Sequence, residues 1–154
     1  MTTANAYPAS QTIRTIGILG GGQLGMMLAE AALPLGYRCI FLEDAPNCPA
    51  SLYGEVFTTE QLDDFVAAAD VFTLEFENTP AKTVAWLKQL SDEGTKQGMF
   101  PPPEALEVAQ DRLNEKNLFN ELGIKTVPFM SVNSKAELKE ASSQLGLPLV
   151  LKTS

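Results

Sequence analysis

The chain has 154 residues, and its 11 Lys and Arg against 19 Asp and Glu give a net charge of −8. That field repels nucleic-acid phosphates and anionic lipid headgroups, so neither is expected as a partner, and a bound phosphate must be held by local donors. Hydrophobic residues at 45% and charged residues at 19% set the balance of a folded domain; with no histidine, and with Cys39 and Cys48 not at metal-ligand spacing, a zinc site is not expected.

The length suits one domain of about 100–150 residues and the opening of a second. No apolar stretch reaches the roughly 18 residues of a membrane span, and Met1–Thr15 lacks the basic start and apolar core of a signal peptide. A cytoplasmic protein is expected.

After a polar lead over 1–14, expected to be disordered, Thr15–Leu19 reads as a buried strand entering the tight turn Gly20-Gly21-Gly22. Gln23–Ala32, rich in Leu, Met and Ala, reads as a helix stopped by Pro34 and Gly36 before a second strand, Arg38–Leu42. The two strands are expected to be parallel neighbours joined by a crossover helix. Cys39, inside the second strand, reads as a small core hydrophobe. An amphipathic helix over Thr59–Ala69, a strand over Asp70–Leu74 and a helix through Lys82–Leu90, opened by Pro80, continue a small doubly wound α/β sheet.

Ser91–Gly98 is polar, and Pro101–Pro103 fix an extended backbone, so a boundary or rigid connector is expected there. Beyond it, Asp111 caps a helix running to about Leu122, with Gly123 at its end. Val127–Met130 reads as an edge strand. Ser134 with Glu137 forms a capping box for a helix ending near Gly146, and Leu149–Leu151 reads as a last strand ending at Lys152. Residues past Ile124 are expected to be the less ordered part, because a lone strand-helix-strand unit buries little surface.

Glycines at 20, 22 and 25 satisfy G-x-G-x-x-G between a strand and a helix, where backbone N–H groups and the helix dipole attract an oxyanion. Three readings stay open: a mononucleotide or other phosphate, a dinucleotide with its ribose on Glu43 or Asp44, or a purely structural turn. Glu75 and Glu77 stand at the carboxyl end of the third predicted strand, where open α/β sheets bind ligands. Strand alternation aims them the same way, either to accept from ribose hydroxyls or as a solvated acidic loop. Gln110–Lys116 reads as an ordinary charged helix start, and Lys152 as a residue leaving the core or a cation held against a nucleotide phosphate.

Taken together, Ile16–Gly25, Glu75-Phe76-Glu77-Asn78, Gln110–Lys116 and Val150-Leu151-Lys152-Thr153, in that order, resemble the ATP-grasp family of 5-(carboxyamino)imidazole ribonucleotide synthases (PurK, the ATPase subunit of phosphoribosylaminoimidazole carboxylase). The resemblance implies a Rossmann-like pre-ATP-grasp domain over 15–103, similar to the biotin carboxylase N-terminal domain, then a linker helix and the truncated start of an ATP-grasp domain over 104–154. It implies that ATP, bicarbonate and aminoimidazole ribonucleotide yield carboxyaminoimidazole ribonucleotide, ADP and phosphate through carboxyphosphate, in purine biosynthesis. Gly22, Gln23 and Leu24 would meet the ribonucleotide, Glu75 would hold its ribose, and Arg112 and Lys152 would contact ATP phosphates or the nucleotide. The ATP loop, the catalytic residues and the magnesium ligands are expected beyond Ser154, so the chain is expected to be an inactive N-terminal fragment of a homodimeric enzyme.

Met26 stands where many relatives carry arginine. A related formate-dependent glycinamide ribonucleotide transformylase would carry glutamate where Gln23 stands; a stand-alone Rossmann-type nucleotide-binding module is the third alternative.

Overall fold

The computed structural model describes residues 14–92 and 98–153, so nearly all of the polar lead and the centre of the Ser91–Gly98 stretch lie outside the described residues. The chain is organised as two compact units, Met1–Leu106 and Glu107–Ser154.

The first unit carries strands β1 (Thr15–Leu19), β2 (Arg38–Leu42), β3 (Val56–Phe57) and β4 (Val71–Leu74), with helices α1 (Gln23–Ala32), α2 (Leu62–Ala68) and α3 (Ala81–Asp92). The four strands form one sheet in the order β3-β2-β1-β4, and every pairing is parallel. The chain therefore leaves β1 in one direction for β2 and β3 and returns on its other side as β4. That reversal creates a crevice at the carboxyl ends of β1 and β4.

Alternation along the strands explains why the sheet is covered on both faces. Cys39 and Phe41 of β2 join Ile18, Ala29 and Ala32 in one buried cluster. Ile40 and Leu42 join Leu19, Phe57, Phe65, Ala69 and Phe72 in the other. Helix α1 thus packs on one face and α2 on the opposite one, which is why the strands read as continuous apolar runs. The buried Cys39 is a core residue, and burial raises its thiol pKa.

The division between the units, after Leu106, falls in sequence within helix α4 (Pro103–Gln110); α5 (Arg112–Glu121) and α6 (Lys135–Leu145) belong to the second. The Asp111 Oδ1 accepts from the Leu113 and Asn114 N–H groups at 2.7 and 3.0 Å, the expected cap of α5. Ser134 Oγ accepts from the Glu137 N–H at 3.2 Å, while Glu137 Oε2 accepts from the Asn133 N–H at 2.7 Å. The reciprocal arm of this capping box thus lands one residue earlier than its standard position.

Several expectations need correction. Thr59–Ala69 is not one helix: a 3₁₀ turn over Thr59–Gln61, capped by Thr58, precedes α2. Pro103 does not extend the proline connector but opens α4, since its missing N–H costs nothing at a first helical position. Val127–Met130 and Leu149–Leu151 are not strands. Neither has a pairing partner among the described residues, and a strand without a neighbour leaves its N–H and C=O groups without a ladder.

Gly17 lies at the centre of β1, where an added Cβ would stand 2.8 Å from Phe72 Cδ1, 2.9 Å from Phe65 Cζ and 3.0 Å from Ala69 Cβ. Gly17→Ala is expected to destabilise the fold by about 1–3 kcal/mol through overpacking, larger than the roughly 0.4–1 kcal/mol gained by restricting the unfolded chain. Urea unfolding checks this: the midpoint should fall at unchanged slope, and an unchanged midpoint would show that the two rings yield freely.

Candidate functional site

The turn between β1 and α1 accounts for its backbone donors one by one. The Gly20 N–H donates to the Leu42 carbonyl at 3.0 Å, the Gly21 N–H to Glu43 Oε2 at 3.2 Å, and the Gly25 N–H to Glu75 Oε2 at 2.8 Å. Gly22 is the N-cap of α1, and its carbonyl accepts the first helical bond, from Met26. The N–H groups of Gly22, Gln23 and Leu24 meet no acceptor among the described residues. Three donors at the positive end of a helix dipole therefore stand open.

Glu75 occupies the middle of this arrangement. A Cβ at Gly20 would lie 2.5 Å from Glu75 Cγ, one at Gly22 2.6 Å from Oε1, and one at Gly25 2.8 Å from Oε2. Gly20 also has φ +100°, a left-handed conformation that side chains rarely adopt. The glycines at 20, 22 and 25 thus leave the space into which the carboxylate folds. One of its oxygens is anchored on Gly25, and the other accepts no hydrogen bond among the described residues.

The remaining carboxylates separate by role. Glu43 uses both oxygens internally, accepting from Gly21 and, at 3.0 Å, from the Ala45 N–H. Asp44 accepts from the Thr59 N–H at 2.8 Å and from its hydroxyl. Both residues that a dinucleotide reading assigns to a ribose are therefore engaged with the protein itself. Residues 75–77 form a bend past the end of β4, so strand alternation does not extend to Glu75 and Glu77, and the expectation that it aims them together loses its ground. Met26, the position that departs from relatives, packs against the core on the α1 side of the sheet.

A hollow of about 190 Å³ opens at the carboxyl ends of the strands, lined among others by Gly20, Glu43, Asp44, Asn78, Thr79 and Thr83. Thr79 and Thr83 were not singled out from the sequence. The signal that could have found them is the run Asn78-Thr79-Pro80, which carries the chain from β4 into α3 beside the switch point.

Arg112 and Lys152 belong to the second unit. Although Leu149–Leu151 is not a strand, the structure brings the two cations into one cleft of about 760 Å³, with Lys116, Phe129 and Met130 also in its wall. None of the residues lining it is Asp or Glu. Such a cleft suits a polyanion with an apolar portion. No group of three or more acidic or cysteine side chains that could hold a metal ion occurs among the described residues, and no helix among them is long and apolar enough to cross a membrane.

The family described as ribonucleotide synthetase preATP-grasp domain matches residues 13–110. An N5-carboxyaminoimidazole ribonucleotide synthase of Pseudomonas aeruginosa is 46% identical over 146 residues, covering 90% of this chain and 38% of that protein. The crystal structure of the corresponding synthetase from Thermus thermophilus is 43% identical with a TM-score of 0.71, over 86% of this chain and 37% of that one. An Aspergillus clavatus N5-carboxyaminoimidazole synthase, solved in complex with ADP and 5-aminoimidazole ribonucleotide, is 30% identical with a TM-score of 0.72, over 88% of this chain and 37% of that one. The chain spans about 38% of the length of the curated relative.

The Glu75 anchor generates a test that needs no ligand. Glu75→Ala is expected to lower stability by about 1 kcal/mol, the usual worth of a helix N-terminal acceptor, with Glu75→Gln losing less. Amide exchange at Gly25 should accelerate in the alanine variant. Unchanged exchange there would show that the carboxylate does not hold this N–H.

Proposed function

We propose, from the premise that this chain belongs to the ribonucleotide synthetase preATP-grasp domain family, that it is the substrate-recognising N-terminal portion of an N5-carboxyaminoimidazole ribonucleotide synthase. The reaction is the ATP-dependent carboxylation of 5-aminoimidazole ribonucleotide by bicarbonate, releasing ADP and phosphate, in purine biosynthesis. Similarity to synthases of that name supports this reading, and one similar structure was solved with both ADP and the ribonucleotide.

The observation that carries it is the juxtaposition at the α1 amino terminus of an anchored carboxylate with three open N–H groups. A ribose 5-phosphate presents a diol and a dianion close together. Glu75, held by Gly25, offers its second oxygen to a ribose hydroxyl without having to be ordered first. The N–H groups of Gly22, Gln23 and Leu24 offer donors to the phosphate, so the charge of −8 is met by local dipoles.

In the same reading residues 15–103 form the ribonucleotide domain and 104–154 the linker and opening of the ATP-grasp domain. The acid-free cleft with Arg112 and Lys152 in its wall receives the ATP phosphates. ATP supplies the phosphoryl group that activates bicarbonate; this chain's residues bind and orient. Magnesium, which the reaction class calls for, has no matching cluster of ligands among the described residues, so its binding is not assigned to them. The assembled enzyme is a cytoplasmic homodimer in this proposal.

Calorimetric titration with 5-aminoimidazole ribonucleotide tests the site. The parent chain should bind it, and Glu75→Ala should weaken binding roughly tenfold or more, the effect of losing one charge-assisted hydrogen bond. Gln23→Ala should have a smaller effect, because its backbone N–H remains. Binding of NADH that the ribonucleotide does not compete away would instead favour a dinucleotide site and overturn the proposal.

A further inference from the structure

We propose that Lys116 is a phosphate-binding cation of the second unit's cleft, with Phe129 as its positioning residue; this rests on the reading of that cleft as an ATP site. Lys116 follows Arg112 by one turn of α5, so both side chains share a helix face, and both line the cleft with Lys152.

Taken alone, the placement is unfavourable. Like charges four residues apart on a helix repel, and cations near a helix amino terminus oppose the macrodipole. Arg112 has a weak local partner, Glu115 Oε2 at 3.9 Å. Lys116 has no carboxylate partner among the described residues. Its ammonium instead stands 5.1 Å from the centroid of the Phe129 ring.

The nature of that contact decides the function. A carboxylate would hold the ammonium and also neutralise it. An aromatic face holds it through the ring quadrupole and leaves the positive charge intact. With no acidic residue in the cleft wall, the charge of Lys116 is directed at whatever occupies the cleft. Half-burial of Lys116 and Phe129 restrains both before a ligand arrives, which reduces the ordering cost of binding. A polyphosphate is the ligand class that removes both unfavourable terms together.

The test uses the 154-residue chain with ATP, inorganic tripolyphosphate and adenosine as calorimetric probes, and circular dichroism to confirm folding of each variant. Lys116→Met should weaken ATP and tripolyphosphate alike by roughly tenfold while leaving adenosine unchanged, and Lys116→Arg should retain most of the affinity. Phe129→Leu, which keeps apolar bulk and removes the π face, should weaken the same two ligands by about threefold. If Lys116→Met binds both as the parent does while Arg112→Met loses them, Lys116 has no part in the site. A parent chain that binds tripolyphosphate but not ATP, with the loss in Lys116→Met intact, overturns the ATP reading and leaves Lys116 a polyphosphate cation. A parent that binds neither overturns both.

Discussion

A carboxylate reaching back from the end of β4 to the third residue of α1 fixes the geometry on which the first unit's site depends. The Glu75 to Gly25 hydrogen bond joins segments 50 residues apart in sequence, and it forms across the two strands, β1 and β4, that flank the topological switch. It also explains the glycines in terms stricter than flexibility. Side chains at 20, 22 or 25 would each come within 2.8 Å of this one group. A carboxylate and a phosphate make similar demands on a backbone, namely close approach and convergent N–H donors. The pattern that reads as a phosphate turn is therefore met in part by the protein's own anion, and the three donors that anion does not use stay open among the described residues.

The parts of the fold that were legible in the sequence are those whose signals are local and doubled. Strands β1, β2 and β4 are short apolar runs because both sheet faces are covered, and each is bounded by glycine or a charged residue. Helices α5 and α6 carry their caps, Asp111 and Ser134, in the sequence itself. Strand β3 was not legible because two residues carry no periodicity; its place is set by backbone bonds such as Phe41 N–H to the Glu55 carbonyl. Helix α4 hid behind its own prolines, whose extended-chain preference and helix-start preference cannot be told apart locally. The segments Val127–Met130 and Leu149–Leu151 have strand composition without strand structure, since composition does not supply a neighbour.

The candidate site divides in the same way. That Glu75 stands at a strand end was readable from spacing, but its bond to Gly25 is a long-range contact that no window of sequence reveals. The same holds for Glu43, whose position after β2 suggests a ribose ligand until both of its oxygens are seen to be engaged by Gly21 and Ala45. Each is an acceptor near a turn, bonded to backbone N–H groups. Which acceptor remains open to a ligand was decided by backbone donors.

The two units offer an anion different sets of donors in a protein of net charge −8. Neither the residues bonded to the glycine turn nor those lining the adjacent hollow include a Lys or Arg. Backbone N–H groups are the donors there, beside a carboxylate that any cation would tend to pair with and so withdraw from a diol. The second unit's cleft has the opposite composition, with Arg112, Lys116 and Lys152 and no acid. Dipoles suffice for a single phosphate presented with hydroxyls, whereas a polyphosphate concentrates charge that only full cations offset. The donor chemistry of each unit is thus compatible with the proposal that the first takes the ribonucleotide and the second the ATP phosphates.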